Sequence, residues 1–243
     1  MSSPSPRLAS DLRAPRWLAA AVRAPMSAAT MGHVIRILER SAPQWRPTAV
    51  AEVAARRRDP FQILIACLLS LRTQDTTTGP AADRLFRLAE TPAAMQRLGT
   101  RRIARAIYPV SFYRTKARVI RGICRELLRR FDGHVPDDLD ALLTLKGVGR
   151  KTANLVVTVG FGKPGICVDT HVHRIANRLG FVRTRRPEAT ELALRTKLPR
   201  RFWVELNDLL VTFGQHVCRP LSPRCSLCPV ARRCSRIGVG RSR

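Results

Sequence analysis

Two residues of this 243-residue chain, Lys151 and Asp169, stand in settings that give each a possible reaction. Lys151 follows the turn Gly147–Val148–Gly149–Arg150 in the stretch "LKGVGRKTAN" and falls in the first turn of the helix that the apolar pattern predicts beyond it. A helix dipole disfavours a positive charge at that end. An amine relieved of its proton is a nucleophile that condenses with a sugar aldehyde carbon to a Schiff base, which a guanidinium cannot do. Lysine is otherwise scarce, at 116, 146, 163 and 197 only, among 44 basic residues. Local sequence leaves open a simpler role for Lys151, a phosphate contact like that of Arg150 beside it. Asp169 opens "DTHVHRIANRLG". Its position is that of a helix N-cap, and the same carboxylate could stabilise an oxocarbenium-like sugar as a glycosidic bond breaks. His171 and His173, two residues apart, would point to different sides of a helix, which makes them a poor metal pair and favours phosphate contact or packing.

The third constellation is "CRPLSPRCSLCPVARRC", with Cys218, Cys225, Cys228 and Cys234 in a C-x6-C-x2-C-x5-C pattern. Four thiolates in a compact loop can hold zinc or a [4Fe–4S] cluster, and spacing alone does not choose. Cys67, Cys124 and Cys167 are isolated and read as free buried thiols. An odd count with one tight group does not suggest a secreted disulfide framework.

Lys plus Arg is 44 and Asp plus Glu 17, a formal charge of +27. Such a balance points to a polyanion, with nucleic acid ahead of an anionic membrane surface. No apolar run is long enough to span a bilayer. Around the glycine turn this charge favours DNA: glycines at 147 and 149 let a tight hairpin form and a phosphate backbone come close.

The elements that must position these residues read as successive helices. "DPFQILIACLLSL" carries Asp59 as a cap and Pro60 at the first helical position, and it is apolar nearly all round, as a buried central helix would be. "TPAAMQRLG" starts at Thr91 and Pro92 and should stop at Gly99. "KARVIRGICRELLRRFDG" puts Val119, Ile120, Ile123, Leu127 and Leu128 on one side. "PDDLDALLTL" is a short helix with Asp137 as its expected cap, and "RFWVELNDLLVTFG" is the last long helix. With no sustained strand alternation, the expected fold class is all-α. Residues 1–30, rich in Ser, Pro, Ala and Arg, read as a basic arm or a targeting peptide outside the fold.

Taken together and in this order, the hairpin, "VDTHVHRIANRLG" and the four cysteines resemble endonuclease III, the iron–sulphur branch of the helix-hairpin-helix DNA glycosylases. The likeness runs from about residue 31 to Cys234. It implies two helical domains with a DNA cleft between them. A six-helix barrel with the helix-hairpin-helix would span 53–163, a cluster domain 31–52 plus 164–234, and a basic tail 235–243. It implies Lys151 as nucleophile, Asp169 as catalytic carboxylate, and a [4Fe–4S] cluster on the four cysteines. Gly147, Val148, Gly149, Arg150 and His171 would contact DNA. Ser70 and Asp75 of "LLSLRTQD" would face the lesion pocket, with Arg72 where several relatives carry glutamine, and Phe112 of "SFYRTKA" would wedge into the opposite strand.

The resemblance therefore implies a bifunctional DNA glycosylase and AP lyase acting on oxidised pyrimidines in double-stranded DNA. It also implies a monomer with no membrane partner, working in the cytoplasm on the nucleoid or, if residues 1–30 target it, in an organelle. Adenine- and thymine-mismatch glycosylases are the nearest alternatives. The adenine branch lacks the nucleophilic lysine and has a glutamate where Cys67 stands. A non-catalytic DNA-binding protein is the alternative from another class.

Overall fold

The computed structural model describes residues 25–57 and 59–243. Most of the arm expected over 1–30 lies outside the described residues. Its last three residues already form the first turn of α1 (Ala28–Ser41), because the Ser27 side chain accepts from Thr30 N and caps the helix.

Among the described residues the regular structure is entirely helical. After α1 come α2 (Ala49–Arg57), α3 (Pro60–Ser70), α4 (Asp75–Leu88), α5 (Pro92–Ile107) and α6 (Tyr113–Arg130). They are followed by α7 (Leu139–Leu143), α8 (Arg150–Leu155), α9 (Thr170–Leu179), α10 (Pro187–Lys197) and α11 (Trp203–His216). A π turn over Val156–Gly160 widens the end of α8.

Two hydrophobic cores organise these helices. The first is built on α3, whose residues from Phe61 to Leu69 are all buried. Around it pack α2, α4, α5, α6 and the α7–α8 hairpin, through side chains such as Leu85, Met95, Ile120, Leu127 and Val156. The second joins α1 to α9, α10 and α11 through Ile35, Leu38, Ile175, Leu179, Leu210 and Phe213. The segment leading into α9 is divided between them. Cys167 packs in the first core, while Ile166 and Val168 on either side pack in the second, as alternate residues of an extended chain must.

Local chemistry explains the boundaries. Asp59 accepts from Phe61 N and Thr91 from Ala94 N. Gly99 interrupts α5 with φ 73°, as expected, yet the helix resumes at once and runs on to Ile107. The cap of α7 is Asp138, not Asp137: Asp138 accepts from Ala141 N at 2.8 Å, while Asp137 pairs with Lys163 at 2.7 Å. On α6 the buried stripe is Ala117, Ile120, Ile123, Cys124 and Leu127. Leu128 falls one position off that stripe and is exposed, and Val119 is half-buried. No helix among the described residues is long and apolar enough to cross a membrane.

Candidate active site

Between the two cores opens a cavity of about 630 Å³. Lys151, Asp169, Ser70, Arg72, Asp75 and His171 all line it, so six residues singled out in the sequence share one concavity.

Its centre is the pair Lys151–Asp169, with Lys151 Nζ 3.4 Å from Asp169 Oδ2. The two oxygens of Asp169 have separate tasks. Oδ1 caps α9 by accepting from His171 N at 2.8 Å and Val172 N at 3.0 Å, which leaves Oδ2 for the amine. Asp169 is 8% exposed while the Lys151 side chain stays 41% exposed, so the carboxylate is held in the wall and the amine reaches into the opening. Behind them Cys167 Sγ donates to Lys151 O at 3.4 Å, and Asn207 Nδ2 to Cys167 O at 3.2 Å. Cys67 is buried in the first core, and burial pushes its thiol up to about 12.

The hairpin glycines differ from each other. Gly147 has φ 96°, and a Cβ there would run into Val119 Cγ1 at 2.5 Å, so both backbone and packing require glycine. Gly149 does not adopt positive φ. Its φ is −91° at the N-cap of α8, a conformation open to any residue, and nothing lies within 4 Å of a Cβ built there. Space, not backbone geometry, distinguishes it. Val148 between them is buried in the first core.

Arg150 does not simply project outward. Its Nε and Nη2 donate to the two carboxylate oxygens of Glu191 on α10, at 2.9 and 3.0 Å. Arg195 Nε donates to Glu191 Oε1 at 3.0 Å and its Nη2 to Asn154 Oδ1 at 3.2 Å. Helix α10 therefore grips α8 at both ends. Burial raises the Glu191 carboxyl, but the hydrogen bonds and charges of the two arginines together outweigh it and hold the group below its ordinary value.

His171 is half-buried at the cavity edge, and burial holds its imidazole below the usual value against the opposing pull of Asp169. The site of His171 depends on Gly214, where any Cβ would collide with the ring. His173 turns the other way, to Thr190 Oγ1 at 2.6 Å. Asp75 Oδ2 accepts from Gln215 Nε2 at 2.8 Å, and Asp208, raised by burial and by the Asp75 charge, accepts from Thr48 Oγ1 at 2.7 Å. Ser70 Oγ donates to Cys67 O at 2.8 Å.

Arg72 and Phe112 face each other at the rim. Each is a non-glycine residue with a left-handed backbone, φ 55° and 58°, a conformation that costs about 1–3 kcal/mol and persists only where the surroundings enforce it. The Arg72 guanidinium lies 6.0 Å from the centre of the Phe112 ring, which is 63% exposed. Lys116 holds the two loops together. Its Nζ donates to Leu69 O at 2.7 Å, Leu71 O at 2.6 Å and Thr73 Oγ1 at 3.2 Å. Sequence reading passed over Lys116, Glu191, Asn207, Asp208 and Gln215. The scarcity of lysine was the one available signal for Lys116, and the others look like ordinary polar positions on amphipathic helices.

Cys218, Cys228 and Cys234 lie against the second core, and all four cysteines line one apolar cavity beside α9. Donors reach two of the sulfurs: Arg178 Nη1 toward Cys218 Sγ at 3.6 Å and Arg236 N to Cys234 Sγ at 3.3 Å. The buried Arg178 also donates to Arg219 O at 2.6 Å and Pro220 O at 2.7 Å, tying the loop to α9. Among the described residues no three or more His, Cys, Asp or Glu side chains are arranged, as they stand, to hold a metal ion.

Residues 65–200 match the family described as HhH-GPD superfamily base excision DNA repair protein. The chain is 46% identical over 176 residues to endonuclease III of Thermotoga maritima, covering 72% of this chain and 83% of that protein. To endonuclease III of Escherichia coli K12 it is 40% identical over 175 residues, with the same coverage of 72% and 83%. Among solved structures, a trapped endonuclease III–DNA covalent intermediate superposes with a TM-score of 0.76 at 33% identity, covering 86% of this chain and 96% of that one.

Proposed function

Because the chain belongs to the HhH-GPD superfamily of base excision DNA repair proteins, and within it to the endonuclease III family, we propose that Lys151 and Asp169 carry the chemistry of a bifunctional DNA glycosylase and AP lyase on oxidised pyrimidines. The observation that carries this reading is the 3.4 Å approach of Lys151 Nζ to a buried carboxylate in a cavity wide enough for a base.

In this mechanism the damaged base leaves the stack, since its sugar carbon cannot be reached inside the duplex. Lys151 Nζ attacks C1′ and the C1′–N bond breaks, its electron pair leaving with the base, which takes a proton from water. Asp169 Oδ2 faces the positive charge that develops on the sugar and takes up the proton the amine releases. Ring opening yields the Schiff base. Loss of a C2′ proton then expels the 3′ phosphate, and the strand is nicked by β-elimination. Gly147, Gly149 and His171 border the path of the phosphate backbone. Ser70 and Asp75 face the base, Arg72 stands where the gap it leaves is filled, and Phe112 wedges into the opposite strand. Arg150 serves mainly through Glu191.

The four cysteines are the ligand set for the [4Fe–4S] cluster that the family implies. Four soft sulfur donors, one shared cavity and N–H groups aimed at two sulfurs fit it. The cluster would staple the loop and present its arginines to DNA. Iron analysis of protein purified without oxygen should give about four irons per chain, and stoichiometric zinc without iron would overturn that assignment. We assign the first hydrophobic core mainly to the barrel domain and the second to the cluster domain, with Val50 and Cys167 of the first core lying outside the 53–163 bounds. We take the working form to be a monomer on duplex DNA.

Borohydride trapping tests the nucleophile. Wild type should cross-link to duplex DNA carrying an abasic site or thymine glycol, and Lys151→Gln should not. A variant that traps as well as wild type would remove Lys151 from its role.

A further inference from the structure

Beside α5 and α6, which pack together, runs a second concavity that shares no lining residue with the Lys151–Asp169 cavity. Its first part, about 680 Å³, has Tyr108, Tyr113, Arg101, Arg105, Arg114 and Arg118 in its walls. A smaller part of about 180 Å³ continues along α6 past Arg121 and Arg125, and the two share Thr100 and Arg118.

Four features set this groove apart from a solvated charged face. The α6 arginines recur at 114, 118, 121 and 125, spacings of four, three and four that place them on one line along the helix. Arg101 and Arg105 face them from α5. None of these six takes part in the ion pairs among the described residues, and the nearest acid on α6, Glu126, is engaged by Arg129 and Arg130. No ion pair therefore neutralises the groove, and the one acid on α6 that acts on it, Glu126, reaches Arg125 only through its charge while held by Arg129 and Arg130.

Secondly, its mouth is aromatic. Tyr108 and Tyr113 meet edge to face at 5.4 Å, with the Arg114 guanidinium 5.0 Å from the Tyr113 ring and Tyr108 60% exposed. Thirdly, the floor is cleared by Gly122, in mid-helix with nothing within 4 Å of a Cβ built on it. A helix-interior glycine costs about 0.5–1 kcal/mol relative to alanine, and no neighbouring protein atom requires it here. Fourthly, Gln96 in the wall has a buried Oε1 with no hydrogen-bond partner.

We propose that this groove binds single-stranded DNA. A line of unpaired arginines that tracks a phosphate backbone, with exposed aromatic rings for stacking, is the combination that holds a strand without regard to sequence. Stacking selects a single strand. Only unpaired bases offer a free face to the exposed Tyr108 ring, whereas a duplex keeps its bases stacked. From Arg114 to Arg125 the stripe is about 16 Å long, enough for a few nucleotides. The mouth begins at Tyr113, the residue after Phe112. The site does not depend on the roles of Lys151 and Asp169.

The test is anisotropy of a fluorescein-labelled twelve-residue oligothymidylate on the full Lys151→Gln chain, with its lesion cavity saturated by a duplex carrying a tetrahydrofuran abasic analogue. The oligonucleotide should bind alongside the duplex, with an affinity that falls steeply as salt rises. Arg118→Ser/Arg121→Ser/Arg125→Ser should weaken it at least tenfold, and Tyr108→Ser by about 5- to 100-fold, each with unchanged binding of the abasic duplex. Gly122→Met, which favours the helix and fills the floor, should weaken it as well, with the melting temperature unchanged or raised. The proposal is overturned if the abasic duplex displaces the oligonucleotide, if these variants leave its affinity unchanged, or if an undamaged duplex competes for the groove better than the single strand.

Discussion

Glu191, 4% exposed, receives both Nε and Nη2 of Arg150 at about 3 Å, across 41 residues of sequence. The contact joins the helix of Lys151 to a helix of the other core. Glu191→Ala leaves two arginines facing an emptied space and should cost about 1–3 kcal/mol of stability. Loosening α8 should also lower the single-turnover trapping rate about tenfold or more at unchanged affinity for the abasic duplex, and Glu191→Asp should recover part of it. A trapping rate equal to wild type would leave Glu191 a purely structural role. The pH dependence follows from the depressed folded-state value. The unfolded carboxyl, near 4.5, binds a proton first, so the stabilisation is complete above that range and is lost as pH falls through it. Urea unfolding from pH 6 to pH 3.5 should therefore show a steeper loss for wild type than for Glu191→Gln.

Asp169 combines a cap and a charge, and two substitutions separate them. Asparagine keeps an oxygen for His171 N and Val172 N while removing the negative charge. Asp169→Asn should then reduce turnover by about 10²–10³ with little change in melting temperature. Asp169→Ala should add about 0.5–2 kcal/mol of destabilisation. Equal stability of the two variants would show that the cap contributes nothing.

The hairpin glycines should respond in opposite ways. Gly147→Ala forces a Cβ into Val119 at positive φ and should destabilise the chain by more than 1 kcal/mol. Gly149→Ala should leave stability within about 0.5 kcal/mol and instead weaken binding of abasic duplex, because its open side is where the DNA backbone would approach. Calorimetry and anisotropy on the same pair of variants read both effects.

Lys116 is buried enough that its ammonium is brought down to about 8, although three oxygens accept from it. A lowered value means that the unfolded chain binds more protons between about 8 and 10.5. The contribution of Lys116 therefore becomes more favourable as pH rises through that window. The stability gap between wild type and Lys116→Met, about 1–3 kcal/mol from the stranded acceptors, should widen from pH 8 to pH 10. A gap that narrows would reverse the assigned direction.

Local chemistry made some of this structure readable in advance. The caps at Asp59, Thr91 and Asp169 are short-range contacts written in neighbouring residues. The buried character of α3 followed from its composition alone. Harder to see were elements whose local signal opposes the tertiary result. Helix α4 carries Pro80 inside it, and α5 continues past a left-handed Gly99 because Ile103 and Ile107 are needed in the core. The site divides along the same line. Lys151 and Asp169 stood out through motif resemblance, whereas Glu191 and Lys116 owe their roles to partners more than forty residues away, which no window along the chain reveals.

The division of the chain into two cores gives the Lys151–Asp169 pair an added sensitivity. The helix that bears the amine is rooted in one core and the helix that bears the carboxylate in the other. Their separation thus works as a strain gauge across the seam, and slippage too slight to melt any helix would still part the proposed nucleophile from its counter-charge. Catalysis should fail at lower urea than circular dichroism does, and a graft joining these halves from two different relatives would have to match the seam, not only the motifs.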